Sequence, residues 1–60
     1  AQLPISLREA LILREYEERS YQEIADILGI ELSLAKVRVH RARLLLRKML
    51  QPIVKEINET

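Results

Sequence analysis

The stretch AKVRVHRARLLLRK, residues 35 to 48, carries Lys36, Arg38, Arg41, Arg43, Arg47 and Lys48, one histidine and no acid. Guanidinium and ammonium groups donate hydrogen bonds to anionic oxygens and to the acceptor edges of bases, so their chemistry is recognition of a polyanion. Bond making has little to work with. The chain has no cysteine, a single histidine and one glycine, which leaves no thiolate nucleophile, no zinc cluster and no glycine-rich phosphate loop. Nor does the pattern set a pair of acids in a concave site. Neither enzymatic activity nor a cofactor is expected, and His40 alone cannot build a metal site.

The net charge of +1 hides a division along the chain. Residues 1–31 hold three basic and seven acidic side chains, residues 32–50 hold six basic and none acidic, and residues 51–60 set Lys55 against Glu56 and Glu59. A basic helix on an acidic scaffold points one surface at a polyanion while the remainder keeps the domain soluble. The bland alternative is a solvated helix face. Hydrophobic residues make up 48% of the chain and include no Phe or Trp, a profile that suits one small, packed helical domain. No stretch approaches the roughly 20 apolar residues of a membrane span and no signal peptide opens the chain, which points to a soluble, cytoplasmic domain.

Two serines mark helix starts. Ser6 precedes Glu9 by three residues, as Ser20 precedes Glu23, the spacing of a reciprocal capping box. The first helix runs from Ser6 through LREALILREYEE. Its consecutive Ala10, Leu11, Ile12 and Leu13 cover more of the circumference than one packed face needs. The second spans about two turns and ends at Gly29, which supplies a left-handed cap. After the turn GIELS, a helix of roughly 17 residues extends to Leu50 and stops before Pro52, with Ile53, Val54 and Ile57 giving a last turn or two in the 51–60 tail. The expected core is Leu7, Leu11, Ile24, Ala25, Leu28, Ile30, Val39, Ala42 and Leu46.

At about 100° per residue, the long helix separates a core stripe from an outer face. Ala35, Val39, Ala42, Leu46, Met49 and Leu50 fall on the first. Lys36, Val37, His40, Arg41, Leu44, Arg47 and Lys48 fall on the second, flanked by Arg38 and Arg43. A short helix with a small residue, Ala25, at the crossing, a glycine turn and a second helix are the parts of a helix-turn-helix, whose second helix enters the DNA major groove. The fold class expected is therefore all-α, a small helical domain with a helix-turn-helix and a long C-terminal recognition helix. Val37 offers methyls to a thymine methyl, and Tyr21 divides between core and a helix start that faces the DNA backbone.

Taken together, LP…REALILREYEERSYQEIADILGI followed by KVRVHRAR…LR resembles the C-terminal domain of bacterial sigma factors, particularly of the extracytoplasmic-function type, over residues 3–50. The resemblance implies recognition of the −35 promoter element in double-stranded DNA, docking on the flap of the RNA polymerase β subunit, and a place within a longer sigma factor. By resemblance, Lys36, Val37, His40 and Arg41 match the base-reading face, while Ser20, Tyr21, Arg38 and Arg43 match positions that hold the phosphate backbone; Ser33 and Arg47 are further candidates for the backbone. ELSLA at 31–35 departs from the family pattern: Glu31 stands where a capping serine is usual, Leu34 where threonine is and Val37 where serine is. Ser33 offers a cap two residues later. Leu44 and Leu45 lie off the core stripe and, with Leu11 and Ile12 from the wide apolar arc of the first helix, form the expected protein-partner surface, which the polymerase flap or an anti-sigma factor would cover. A helix-turn-helix of a response regulator or quorum-sensing transcription factor is the alternative reading.

Overall fold

The computed structural model describes the backbone of residues 3–59 and the side chains of residues 3–51. Three helices follow in order: α1 over Ile5–Leu11, α2 over Tyr21–Leu28 and α3 over Leu32–Glu59, with a π-helical turn, Ile12–Tyr16, continuing α1. Among the described residues there is no strand, and the all-helical expectation holds.

Helix α1 begins differently from the sequence expectation. Pro4, at φ −54° and ψ 146°, occupies the N-cap, and its carbonyl accepts from the N–H groups of Leu7 and Arg8 at 3.1 and 2.9 Å. Ser6 thus lies inside the first turn, no side chain caps this end, and the Ser6–Glu9 capping box does not form. A serine caps only from extended backbone just outside the helix, and Pro4 has taken that place.

After Leu11 the helix widens instead of running on regularly. The Glu17 N–H donates to the Ile12 carbonyl at 3.1 Å, five residues back. Glu18 then turns left-handed at φ 55°, and the Arg19 N–H reaches Leu13 at 2.9 Å. This closure resembles a Schellman motif with one residue added by the wide turn. It sorts the apolar run: Ala10 is buried, Leu11 and Leu13 are half-buried, and Ile12 faces out.

Helix α2 follows its sequence signals. Ser20 Oγ accepts from the Glu23 N–H at 3.1 Å, and the Glu23 carboxylate accepts from the Ser20 N–H at 2.9 Å. At the other end Gly29 sits at φ 67°, ψ 38°, and the Ile30 N–H returns to the Ala25 carbonyl at 2.9 Å. Helix α3 starts at once. The Glu31 carbonyl accepts from the Ala35 N–H at 3.0 Å, so Glu31 holds the cap position and Ser33 lies in the first turn.

Pro52 does not stop α3, which continues to Glu59 for a total of 28 residues; the expected tail from 51 is helical as far as Glu59. Proline removes one backbone donor, the one that the Lys48 carbonyl would use, and the helix proceeds past that missing bond. At about 1.5 Å per residue such a rod measures about 42 Å, and the molecule is 44 Å in its longest dimension.

Both α1 and α2 pack against α3. Ala10, Ile24, Ala25, Ala35 and Val39 form the buried cluster, and Ala42 is buried as well. Of the residues expected inside, Ile24, Ala25, Ala35, Val39 and Ala42 are buried, and Leu28 and Ile30 are half-buried and packed against the cluster, whereas Leu7, Leu11 and Leu46 are only half-buried, and Met49 and Leu50 are exposed. The correction has a steric cause. Where helices approach closely, alanines occupy the contact and longer side chains are pushed to its edge.

Replacing Ala25, 2% exposed, by leucine therefore inserts bulk where there is no room and should destabilise the domain by about 1–3 kcal/mol; thermal or urea unfolding measures it. Glu18→Gly should act in the opposite direction. Removing Cβ relieves a left-handed residue, and the gain, net of glycine's greater unfolded-chain entropy, is expected at about 0.5–1 kcal/mol in the same unfolding experiment.

Candidate nucleic-acid interface

The turn at Gly29 fixes where α3 begins, and the alanine contacts fix which way it faces. With Ala35, Val39 and Ala42 buried, the helical repeat sends Lys36, Val37, His40 and Arg41 outward, and all four are exposed. They span about 7.5 Å along the axis, within reach of a few successive base pairs. Val37 interrupts the cations with an apolar patch, 39% exposed. From Leu32 through Leu50 no acid interrupts the helix.

The six residues expected to hold phosphate occupy more varied settings. Ser20, Ser33 and Arg47 are exposed, whereas Arg38 and Tyr21 are half-buried. The Ser20 hydroxyl is already an acceptor in the α2 cap, which leaves its O–H to donate elsewhere. Tyr21 packs against the core cluster, and the Arg14 guanidinium carbon stands 4.5 Å from its ring centroid, a cation–π contact. Arg14 also donates from Nη1 to the Arg19 carbonyl at 2.9 Å, so the loop between α1 and α2 is held against the start of α2.

Arg43 is engaged by the scaffold. Its Nε donates to Glu15 Oε1 at 2.6 Å, and its Nη2 approaches the same oxygen. This hydrogen bond, aided by the Glu15 charge and by the Tyr21 hydroxyl, raises the guanidinium pKa above its ordinary value. Sequence reasoning missed Glu15 and Arg14. A pairing across 28 residues leaves no periodic trace, and the RE dipeptide at 14–15 repeats the one at 8–9.

Residues 1–46 match the sequence family described as Sigma-70, region 4. The chain belongs to the sigma-70 region 4 family. It is 44% identical over 55 residues, 92% of its length, to the RNA polymerase sigma-H factor of Pseudomonas aeruginosa, covering 28% of that protein. It is 56% identical over 41 residues, 68% of its length, to the RNA polymerase sigma factor YlaC of Bacillus subtilis, covering 24% of it. The ECF RNA polymerase sigma factor SigW of Bacillus subtilis is 39% identical over 51 residues, 85% of this chain and 27% of SigW. The chain thus spans about a quarter of the length of these curated relatives. No solved structure matches. The family assignment favours the sigma factor over the response-regulator or quorum-sensing alternative.

In this region 4 domain the expected partner surface divides in two. Ile12, Leu44 and Leu45 are exposed, while Leu11 is half-buried. Leu44 and Leu45 line a groove of about 310 Å³ with Leu7, Arg41 and Lys48, and Leu44 also borders a second, of about 650 Å³, with Leu46, Leu50 and Arg47. Among the described residues no group of His, Cys, Asp or Glu is placed to hold a metal ion, and no helix is long and apolar enough to cross a membrane.

The α2 cap also sets a pH dependence. Glu23 is held below its ordinary value, first by the backbone hydrogen bond from Ser20, then by the Ser20 side chain, against an opposing effect of burial, with a lesser contribution from Arg19. Its folded pKa lies below its unfolded one, so its stabilisation is complete above the unfolded value and is lost as the pH falls through the folded value. Glu23→Gln should accordingly show a shallower loss of melting temperature on acidification than the natural protein, measured by thermal melts from neutral pH downward.

Proposed function

We propose that this domain reads the −35 promoter element as the C-terminal part of a sigma factor and so directs RNA polymerase to its start sites. The observation that carries the reading is the outer face of α3, where Lys36, Val37, His40 and Arg41 stand exposed on one stripe of a helix that holds no acid from Leu32 to Leu50. Arginine and lysine donate to guanine edges, and the valine methyls complement thymine. Ser20, Tyr21, Ser33, Arg38, Arg43 and Arg47 hold the flanking phosphates, which position the helix without selecting sequence.

The partner surface at Leu11, Ile12, Leu44 and Leu45 takes the flap of the polymerase β subunit and, in the inhibited state, an anti-sigma factor. Exposed leucines beside cations favour a partner with an apolar ridge and acidic edges. This work with polymerase on the chromosome belongs in the cytoplasm and requires neither cofactor nor catalysis by the domain.

Reading and holding separate experimentally. Arg41→Ala should weaken binding to the preferred duplex by about 1–3 kcal/mol and relax the preference at one base pair. Arg47→Ala should weaken preferred and scrambled duplexes alike and lower the salt dependence by about one counterion. Binding isotherms on both duplexes over a salt series decide it; identical behaviour of the two variants would make α3 a nonspecific basic face.

A further inference from the structure

Among the described residues the acidic scaffold reaches the cationic helix at one point. Among the described residues the ion pairs are Arg19 with Glu17, Arg19 with Glu23, and Arg43 with Glu15, so Arg43 is the cation of α3 that an acid holds. Glu15 lies in the π-helical turn that follows α1, and the wide turn together with left-handed Glu18 brings Arg14, Glu15 and Glu18 to one polar cleft beside Arg43. The side chains of Arg43 and Glu15 are 44% and 52% exposed.

The two arginines of this cleft are used differently. Arg14 is bound to neutral groups, the Arg19 carbonyl and the Tyr21 ring, and keeps its charge for solvent or phosphate. Arg43 gives its Nε and Nη2 to a carboxylate. That edge of a guanidinium is one that clasps a phosphate through two parallel hydrogen bonds. An ion pair this exposed contributes little to stability, so its larger consequence falls on what Arg43 offers a polyanion.

We infer that Glu15 restrains the DNA affinity of the domain: it occupies the phosphate-binding edge of Arg43, and a phosphate must displace it and then lie beside its negative charge. The inference rests on the DNA reading above. Without Glu15 the interface presents one more free cation, and it does so for every sequence equally, because Arg43 sits at the flank of the reading stripe. Glu15 lowers nonspecific attraction while leaving Lys36, Val37, His40 and Arg41 to discriminate, which raises the relative weight of base contacts in total binding.

The test compares the natural full-length protein with Glu15→Gln, Arg43→Ala and the double variant, by binding isotherms on preferred and scrambled duplexes between about 0.05 and 0.3 M salt. Thermal melts of each variant establish folding, and Glu15→Ala provides a second neutral replacement at this half-exposed position. Glu15→Gln and Glu15→Ala should bind both duplexes roughly 3- to 10-fold more tightly near 0.1 M salt, with a salt dependence steeper by about one counterion. The double variant should gain clearly less over Arg43→Ala than Glu15→Gln gains over the natural protein, because the freed edge of Arg43 is then missing. Unchanged or weaker binding by both neutral variants overturns the inference, the weaker result making Glu15 a support for Arg43. An undiminished gain in the Arg43→Ala background also overturns it, since the gain would not pass through Arg43. If the natural protein binds neither duplex in a salt-dependent way, the DNA reading falls and this inference with it; if it binds and the neutral variants do not exceed it, this inference alone falls.

Discussion

The distance at which α3 can approach α1 and α2 governs what this domain shows to solvent, and alanines set that distance. Ala10 on α1, Ala25 on α2, and Ala35 and Ala42 on α3 are buried together with Ile24 and Val39. Such a contact gains modest transfer free energy per residue but leaves no slack, because a methyl has no rotamers with which to accommodate displacement. The leucines seal its margins. Once Ala35, Val39 and Ala42 are pinned, the azimuth of every other side chain on α3 follows from the helical repeat.

The same constraint explains how charge is distributed. A chain of 60 residues buries only about 60% of its unfolded surface, so most side chains face solvent and sorting by sign does much of the work. Seven of the nine acids gather on α1, α2 and their connections, and the cations of residues 32–50 stand on α3 with no acid among them. Arg19 is bound by Glu17 of its own loop and by Glu23 of α2. Among the described residues the division is therefore carried through into three dimensions, apart from the bridge between Glu15 and Arg43.

Much of this architecture is legible in the sequence, and the reasons differ by element. The start and end of α2 could be read because Ser20, Glu23 and Gly29 each perform a local backbone task that depends on a few neighbouring residues. The outer stripe of α3 could be read because it follows one period. Ser6 and Glu9 carried the same signature as Ser20 and Glu23 and misled, since Pro4 had already offered its carbonyl to the first turn. The widening after Leu11 and the persistence of α3 through Pro52 run against local preference, as does the left-handed Glu18. Ala35 fell on the core stripe of α3 by its period, whereas Ala10 stands in a run of four apolar residues that no period sorts, so it emerged as core only from the closeness of the helices. The pairing of Glu15 with Arg43 and the stacking of Arg14 on Tyr21 depend on tertiary placement.

The groove formed by Leu7, Leu44, Leu45, Lys48 and Arg41 has a thermodynamic consequence. Arg41 belongs both to its wall and to the stripe that faces outward, and Leu44 lies three residues farther along the same helix, on the same side. Any chain seated deeply enough to cover Leu44 meets that guanidinium. Occupancy of the groove and engagement of Arg41 by another ligand are then linked equilibria: whatever free energy one adds to or subtracts from the other is returned in equal measure when their order is reversed. One side chain is enough to turn two neighbouring surfaces into a coupled pair.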